Sequence, residues 1–216
     1  MTLLQSGLAK SLAEDYTIDN SLRFDDGDSA YLSRTPAGSG SLTTWTYSVW
    51  AKRGALGASS SMDLLDCNDW SGSSSVDDLI FNTSDNIEFE IYSSGIVGEY
   101  VTSAVYRDPS AWYHIVFVWD TSNSTATDRM RIYVNGERVT AFSTSTDPSL
   151  NAVSVINKNV QQNIGQQGGG SEFYDGYLAE VYFIDGQALA ASDFGELDSD
   201  TNQWKPKDAS DLTFGT

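Results

Sequence analysis

"WYHIVFVWDTSNSTATDRMRIYVNGERV", residues 112–139, decides the fold class. Under the period-two alternation of a strand, Trp112, His114, Val116 and Val118 project to one side and Tyr113, Ile115, Phe117 and Trp119 to the other. Both faces are largely apolar, so this strand belongs in the middle of a sheet that is covered on both sides. The dipeptide Asn135-Gly136 then marks a two-residue hairpin, because a type I′ turn needs positive φ at both central positions. The turn predicts a register in which Val134 faces Glu137, Ile132 faces Val139 and Met130 faces Ala141 on an apolar face. Arg131, Tyr133, Arg138 and Thr140 share the other face, and a slip of one residue would invert the sorting.

The same stretch contains the chain's only histidine, His114. With no second histidine and a single cysteine, Cys67, the chain has no set of His and Cys ligands for a metal. The expected role is a neutral core histidine with a hydrogen-bonded ring nitrogen.

Working outward, strand-forming runs recur at 21–26, 30–35, 44–52, 78–83, 86–94, 99–106, 112–120, 129–135 and 177–185, separated by Gly, Ser, Asn and Asp clusters. This is the pattern of an all-β sandwich or jelly roll of antiparallel sheets, with at most one or two short helices. "LAASDFGEL" (189–197) offers Ser192 as an N-cap for one short turn, and the N-terminal "LLQSGLAKSLAE" could form another or serve as a docking arm. "GALGASSS" (54–61) and "GQQGGGSE" (165–172) read as surface loops. At 216 residues one large domain is expected, with boundaries at 1–20 for an arm or first strand, 21–197 for the sandwich and 198–216 for a tail or closing strand.

Net charge is −18, from 12 basic and 30 acidic residues. Such a field repels phosphate backbones and anionic lipid surfaces, which argues against nucleic acid, and no run after the N-terminal segment is apolar for long enough to span a membrane. One cysteine excludes an intramolecular disulfide. The N-terminus lacks a basic start and a continuous apolar run, so it does not read as a signal peptide. Synthesis in a cytoplasm is expected, with release by a route such as lysis after assembly into a particle.

Several pieces together resemble a known family. "TWTYSVWAKRG", "WYHIVFVWD" with "RMRIYVNGERV", "NIG" (163–165) and "FYDGYLAEVYFIDGQALAASDFGE" look like a laminin-G-like, concanavalin A-like jelly roll, in that order along the chain. The opening "SLRFDDGDSAYLSRTP" and the close "YLAEVYFIDGQALAASDFGE" are more narrowly similar to such domains in virion structural proteins of tailed bacteriophages, on tail fibres, head fibres or capsid surfaces. That resemblance implies other virion proteins as partners, several copies on the particle and a position on the virion surface. It also implies that His114 is a framework residue.

Candidate site residues lie elsewhere. Sugar sites in β-sandwich lectins combine an exposed aromatic ring with amide and carboxylate groups. "MDLLDCNDWSGSSSVDD" (62–78) supplies Trp70 with Asp66, Asn68 and Asp69, and "GGGSEFYDG" (168–176) supplies a second rim with Tyr174 and Asp175. The acidic residues Asp66, Asp69, Asp77 and Asp78 could hold calcium, which related laminin-G-like domains often carry, although their spacing is not that of an EF-hand. In "DNIEFEIYSS", Asn86, Glu88, Glu90 and Tyr92 share a face, as in a retaining glycosidase strand. There, however, Asn86 stands where those enzymes place the first acid. The sequence thus leaves three functions open: a non-catalytic adhesin for host-surface glycans, a purely architectural virion subunit, and a glycan hydrolase acting through Glu88 and Glu90. The first is the expected one, and the two ends separate it from the second: if the N-terminal "TLLQSGLAKSL" and the tail carrying Trp204 and Phe214 both pack on the sandwich the domain reads as a self-contained lectin, and if they reach outward it reads as an assembly unit.

Overall fold

The computed structural model describes residues 16–57, 59–69 and 75–215. Its strands are β1 (Leu22–Phe24), β2 (Leu32–Arg34), β3 (Thr44–Arg53), β4 (Met62–Asp69), β5 (Ser75–Phe81), β6 (Ile87–Ser93), β7 (Ile96–Thr102) and β8 (Tyr113–Asp120). They continue as β9 (Met130–Val134), β10 (Glu137–Arg138), β11 (Phe142–Thr146), β12 (Gln162–Ile164), β13 (Gly176–Asp185), β14 (Gly195–Leu197) and β15 (Trp204–Pro206). One sheet has the order β1-β13-β3-β8-β9-β10, and the other β11-β7-β6-β5-β4-β12-β2, with all pairings antiparallel. The fold is the expected all-β jelly-roll sandwich.

The inner faces of the two sheets meet in a core built on Trp45, Tyr47, Phe81, Phe89, Phe117 and Trp119, all essentially without solvent contact. Phe89 packs edge-on against Phe117 at 5.5 Å, and Trp45 lies 6.5 Å from Trp119. Burial of a side chain of this size stabilises by roughly 2–3 kcal/mol, which is how a chain without a disulfide holds together. β8 sits between β3 and β9, with His114, Val116 and Val118 buried on its outer side as completely as Ile115, Phe117 and Trp119 on its inner side.

The cover over that outer side is the C-terminal segment. Val116, Val118, Ile184, Ala191, Phe194 and Ala209 form a second, smaller core, with Trp204 and Leu212 packed against it. β14 and β15 pair with each other across the 197/198 position, so the tail and the segment before it form one cap. Phe214 lies back on Tyr182, ring centroids 5.9 Å apart. The turn before the cap spans Ala191–Asp193 and starts earlier than the sequence suggested. Asp193 Oδ2 accepts from Ala190 N at 2.8 Å, and Ser192 lies inside the turn instead of capping it.

The hairpin has the expected register, with Glu137 opposite Val134 and Val139 N donating to Ile132 O at 2.9 Å. Asn135 and Gly136 take φ of 49° and 86°, as the type I′ turn requires. The Met130–Ala141 pair does not form. The chain has by then crossed to the other sheet, where Ala141 O accepts from Ser103 N at 3.0 Å and β11 pairs with β7. β4, β11 and β12 are strands that the spacing of apolar residues did not announce. β4 carries three Asp and one Asn among its eight residues, and β11 is Ser- and Thr-rich at a sheet edge.

Candidate functional site

The outer face of the seven-stranded sheet carries a row of carboxylates. Cross-strand pairing sets Asn163 opposite Asp66, Asp66 opposite Asp78, Asp78 opposite Glu90 and Glu90 opposite Glu99, with Thr146 opposite Glu99 at one end and Ser33 opposite Asn163 at the other. Four acids on four successive strands therefore stand side by side at strand spacings of about 4.8 Å. Their neighbours Leu65, Cys67, Leu79, Phe89, Ile91 and Tyr100 point inward to the core, which fixes the acids on the outer side. Asp63 and Glu88 lie one step along the same face.

Like charges directly opposite each other destabilise a sheet, and the groups respond accordingly. Burial, then the facing Asp66 carboxylate and the charges of Glu172 and Glu88, push Asp78 up to about 9. Burial raises Asp66 to about 6 even though Gly168 N donates to its Oδ1 at 2.6 Å. Burial and then the charges of Asp78, Glu88 and Glu99 raise Glu90 to about 7. Asp63 is raised well above the carboxylate range by burial first and then by Asp78 and Asp66. Among the described residues no Lys or Arg forms an ion pair with any of these groups.

A β-bulge shapes one end of the row. The pairing runs Asp63 opposite Ile80 and then Leu65 opposite Leu79, leaving Leu64 as the extra residue. Without it, Asp63 and Asp66, an odd number of positions apart, would face opposite sides of the sheet. With it, both face outward, and one oxygen each of Asp63, Asp66 and Asp78 lie within 4.8 Å of one another. Glu88, Glu90 and Glu99 form a second such group further along. Asn68 joins the first end, its Nδ2 donating to Asp66 Oδ1 at 2.9 Å. The glycine-rich loop closes over it, and a side chain at Gly168 would collide with Asn68 Nδ2 at 2.4 Å. All of these are hard oxygen donors, so the residues suit the calcium implied by the family resemblance.

A concavity of about 680 Å³ lies elsewhere, at the sandwich edge between β2 and β13. Its acidic member, Asp185, is committed to Ser41 N at 2.7 Å and Asn157 Nδ2 at 2.6 Å.

The family model for the concanavalin A-like lectin/glucanases superfamily matches residues 25–193. The chain belongs to this superfamily. No curated protein matches it. Among solved structures it is similar to the native heptameric SAP-like pentraxin of Limulus polyphemus, at 15% identity and a TM-score of 0.52 over 74% of this chain and 71% of that one. It is also similar to the enzymatically active domain of tailspike protein 2 of bacteriophage CBA120, at 14% identity and a TM-score of 0.52. That match covers 81% of this chain but only 26% of the tailspike. At such identities the likeness is one of fold.

Within this superfamily sandwich the sequence-predicted residues divide. Asp66, Asn68 and Asp78 come together on the open face. Asp77 does not, because adjacent residues of a strand point to opposite sides. Its carboxylate is buried and accepts from Val155 N at 2.6 Å and Ile156 N at 3.0 Å, clamping a loop over the core. Tyr174 is also corrected. Its ring is fully buried edge-on to Phe24 and its hydroxyl donates to Lys52 O at 3.0 Å, so it offers no surface to a sugar. Trp70 lies outside the described residues, and Asp69 closes β4 with its backbone. Asp63, Glu99 and Glu172 were missed. For Asp63 the bulge hid the signal, and Glu99 becomes a neighbour of Glu90 only through the β6–β7 pairing.

His114 has no place in this site. Nδ1 accepts from Trp204 Nε1 at 3.0 Å, so the ring proton is on Nε2 and donates to Ser48 Oγ at 2.9 Å. Trp50 and Trp204 stack on the ring, at 5.0 and 5.9 Å between centroids.

Proposed function

We propose that the chain is a non-catalytic glycan-binding module displayed on a bacteriophage virion, with the carboxylate row as its binding face. The observation that carries this reading is the composition of the row: side-by-side carboxyl groups with no basic ion-pair partner among the described residues, flanked by amides and hydroxyls. A polyol matches that surface, because each sugar hydroxyl donates a hydrogen bond without bringing a counter-charge. Asp66 is buried, so contacts fall to the partly exposed Asp78, Glu90 and Glu99, and a few weak contacts of this kind gain from the copies of a homo-oligomer on a particle. The virion assignment rests on the resemblance of the opening and closing segments to phage structural proteins, and the tailspike likeness in fold is consistent with it.

The purely architectural alternative needs outward-reaching ends; at the C-terminal end Trp204 and Phe214 pack back on the sandwich, and the N-terminal arm at 1–15 lies outside the described residues. The hydrolase alternative keeps one favourable observation. Burial and the neighbouring acids raise Glu90 to about 7, so about half of it is protonated at neutral pH beside Glu88, which suits a general acid.

The test is a glycan array probed with bead-multimerised protein and with Glu90→Ala. Selective binding that drops at least tenfold in the variant supports the reading. A blank array with folded protein moves the function to architecture. Release of new reducing ends from a bound glycan, lost in Glu90→Gln, moves it to hydrolysis.

A further inference from the structure

We propose that Asp63, Asp66 and Asp78 are the carboxylate ligands of one hard divalent cation, calcium in preference to magnesium, held in a buried position on the outer side of the seven-stranded sheet, beside the glycine-rich loop. The proposal stands whether or not that face also takes a glycan.

Asp63 is the deciding residue. It has no solvent exposure, and neither of its carboxylate oxygens has a hydrogen-bond partner. Asp66 Oδ2, Asp78 Oδ1 and Asn68 Oδ1 are also buried and unpartnered, so five orphaned oxygens belong to four neighbouring side chains. A buried acceptor without a donor costs about 1–3 kcal/mol, more when charged, and native proteins rarely leave several together.

Protons alone do not resolve this. A proton shared between Asp66 and Asp78 leaves both oxygens of Asp63 without a hydrogen-bond partner. A cation among the three acids would serve Asp63, Asp66 and Asp78 together. Asp66 and Asp78 share one side-chain hydrogen bond, and the oxygens of all three acids, within 4.8 Å of one another, can also be spanned by an ion that holds ligands at about 2.3–2.6 Å. The ion also supplies the positive charge that no Lys or Arg among the described residues provides through an ion pair. Its coordination is all oxygen, as hard cations require, and the irregular set drawn from a bulge and two strands suits calcium better than the octahedral demand of magnesium. The bulge at Leu64 is then explained: it costs ladder regularity and turns Asp63 to the ion.

The experiment uses the full chain, stripped with EDTA and titrated with CaCl2 alone by calorimetry at pH 7.5, with melting temperature as a second readout. One calcium per chain is expected, with a dissociation constant of about micromolar to submillimolar, magnesium weaker by at least about tenfold, and a calcium-dependent rise in melting temperature. Asp63→Asn is expected to weaken calcium at least about tenfold, while Glu99→Gln, in the neighbouring acidic group, stays within about twofold. Folding of Asp63→Asn is checked by its melting transition in EDTA. If that variant does not fold, Asp78→Asn takes its place with the same expectation. Absence of binding by folded wild-type protein at about 10 mM calcium overturns the proposal. So does binding that Asp63→Asn leaves unchanged, or that Glu99→Gln weakens equally. No glycan is present, so failure here leaves the proposed glycan-binding function untouched.

Discussion

Trp204 Nε1 donates to His114 Nδ1 across 3.0 Å, tying the C-terminal cap to the central strand of the six-stranded sheet. The bond fixes the neutral tautomer, and burial lowers the histidine to about 3 from an ordinary value of 6.5. A histidine depressed in the folded state contributes stability that is fully present above pH 6.5 and is lost as the pH falls through about 3. The contribution changes by about 1.4 kcal/mol for each pH unit inside that window. His114→Gln keeps a donor and an acceptor but does not titrate. Urea unfolding from pH 7 to 4 is expected to show wild type losing stability relative to the variant on acidification. Parallel pH profiles would show that the ring is not buried neutral.

Gly136 meets Trp204 from the other side. Its φ is 86°, and a Cβ there would stand 2.5 Å from the indole carbons. Gly136→Ala therefore combines backbone strain with displacement of the cap, and a loss of about 2–4 kcal/mol is expected by chemical denaturation. Asn135→Asp, which tolerates the left-handed conformation, is expected to cost less than about 1 kcal/mol.

Asp85 holds two arginines. Its Oδ1 pairs with the fully buried Arg53 at 2.8 Å and its Oδ2 with Arg107 at 2.7 Å, while Gly57 N donates to Oδ1 at 2.8 Å. Burial would raise this carboxyl, but the Gly57 bond and the two guanidinium groups outweigh it and hold it at about 2. Its stabilisation is present above about pH 4 and lost as the pH falls through about 2. Asp85→Asn leaves Arg53 buried without its charge partner, and a loss of about 3–5 kcal/mol at pH 7 is expected from unfolding curves.

Glu90→Gln is expected to stabilise. Glu90 is raised to about 7, so its favourable contribution to the folded state is present below about pH 4 and lost as the pH rises through 7. In EDTA at pH 8 the variant is expected to gain on the order of 1 kcal/mol, a figure reduced for the solvent that screens a half-exposed group. At pH 4 the gain vanishes. A gain equal at both pH values would assign the effect to packing instead of charge.

Much of the sandwich was legible because its signals are local. The covered strand at 113–120 and the Asn135-Gly136 turn follow from alternation and positive φ, and Glu88 and Glu90 share a face because they are two residues apart. The same rule could have separated Asp77 from Asp78, and composition alone wrongly grouped them. β4 was hidden because its outward Asp and Asn residues imitate a loop, and β12 because three residues carry too little pattern.

By itself the sequence determined the sandwich class, the hairpin register, the acidic character and the packing role of His114, since each rests on spacing within one segment or on totals. Only the tertiary structure decided that Asp66, Asp78, Glu90 and Glu99 stand in one row, that the bulge at Leu64 brings Asp63 to join them, and that Tyr174 and Asp77 are buried. The physical reason is that a sheet face is assembled from strands distant in sequence. Which side chains become neighbours depends on pairing register and on single-residue bulges, and neither leaves a periodic trace along the chain.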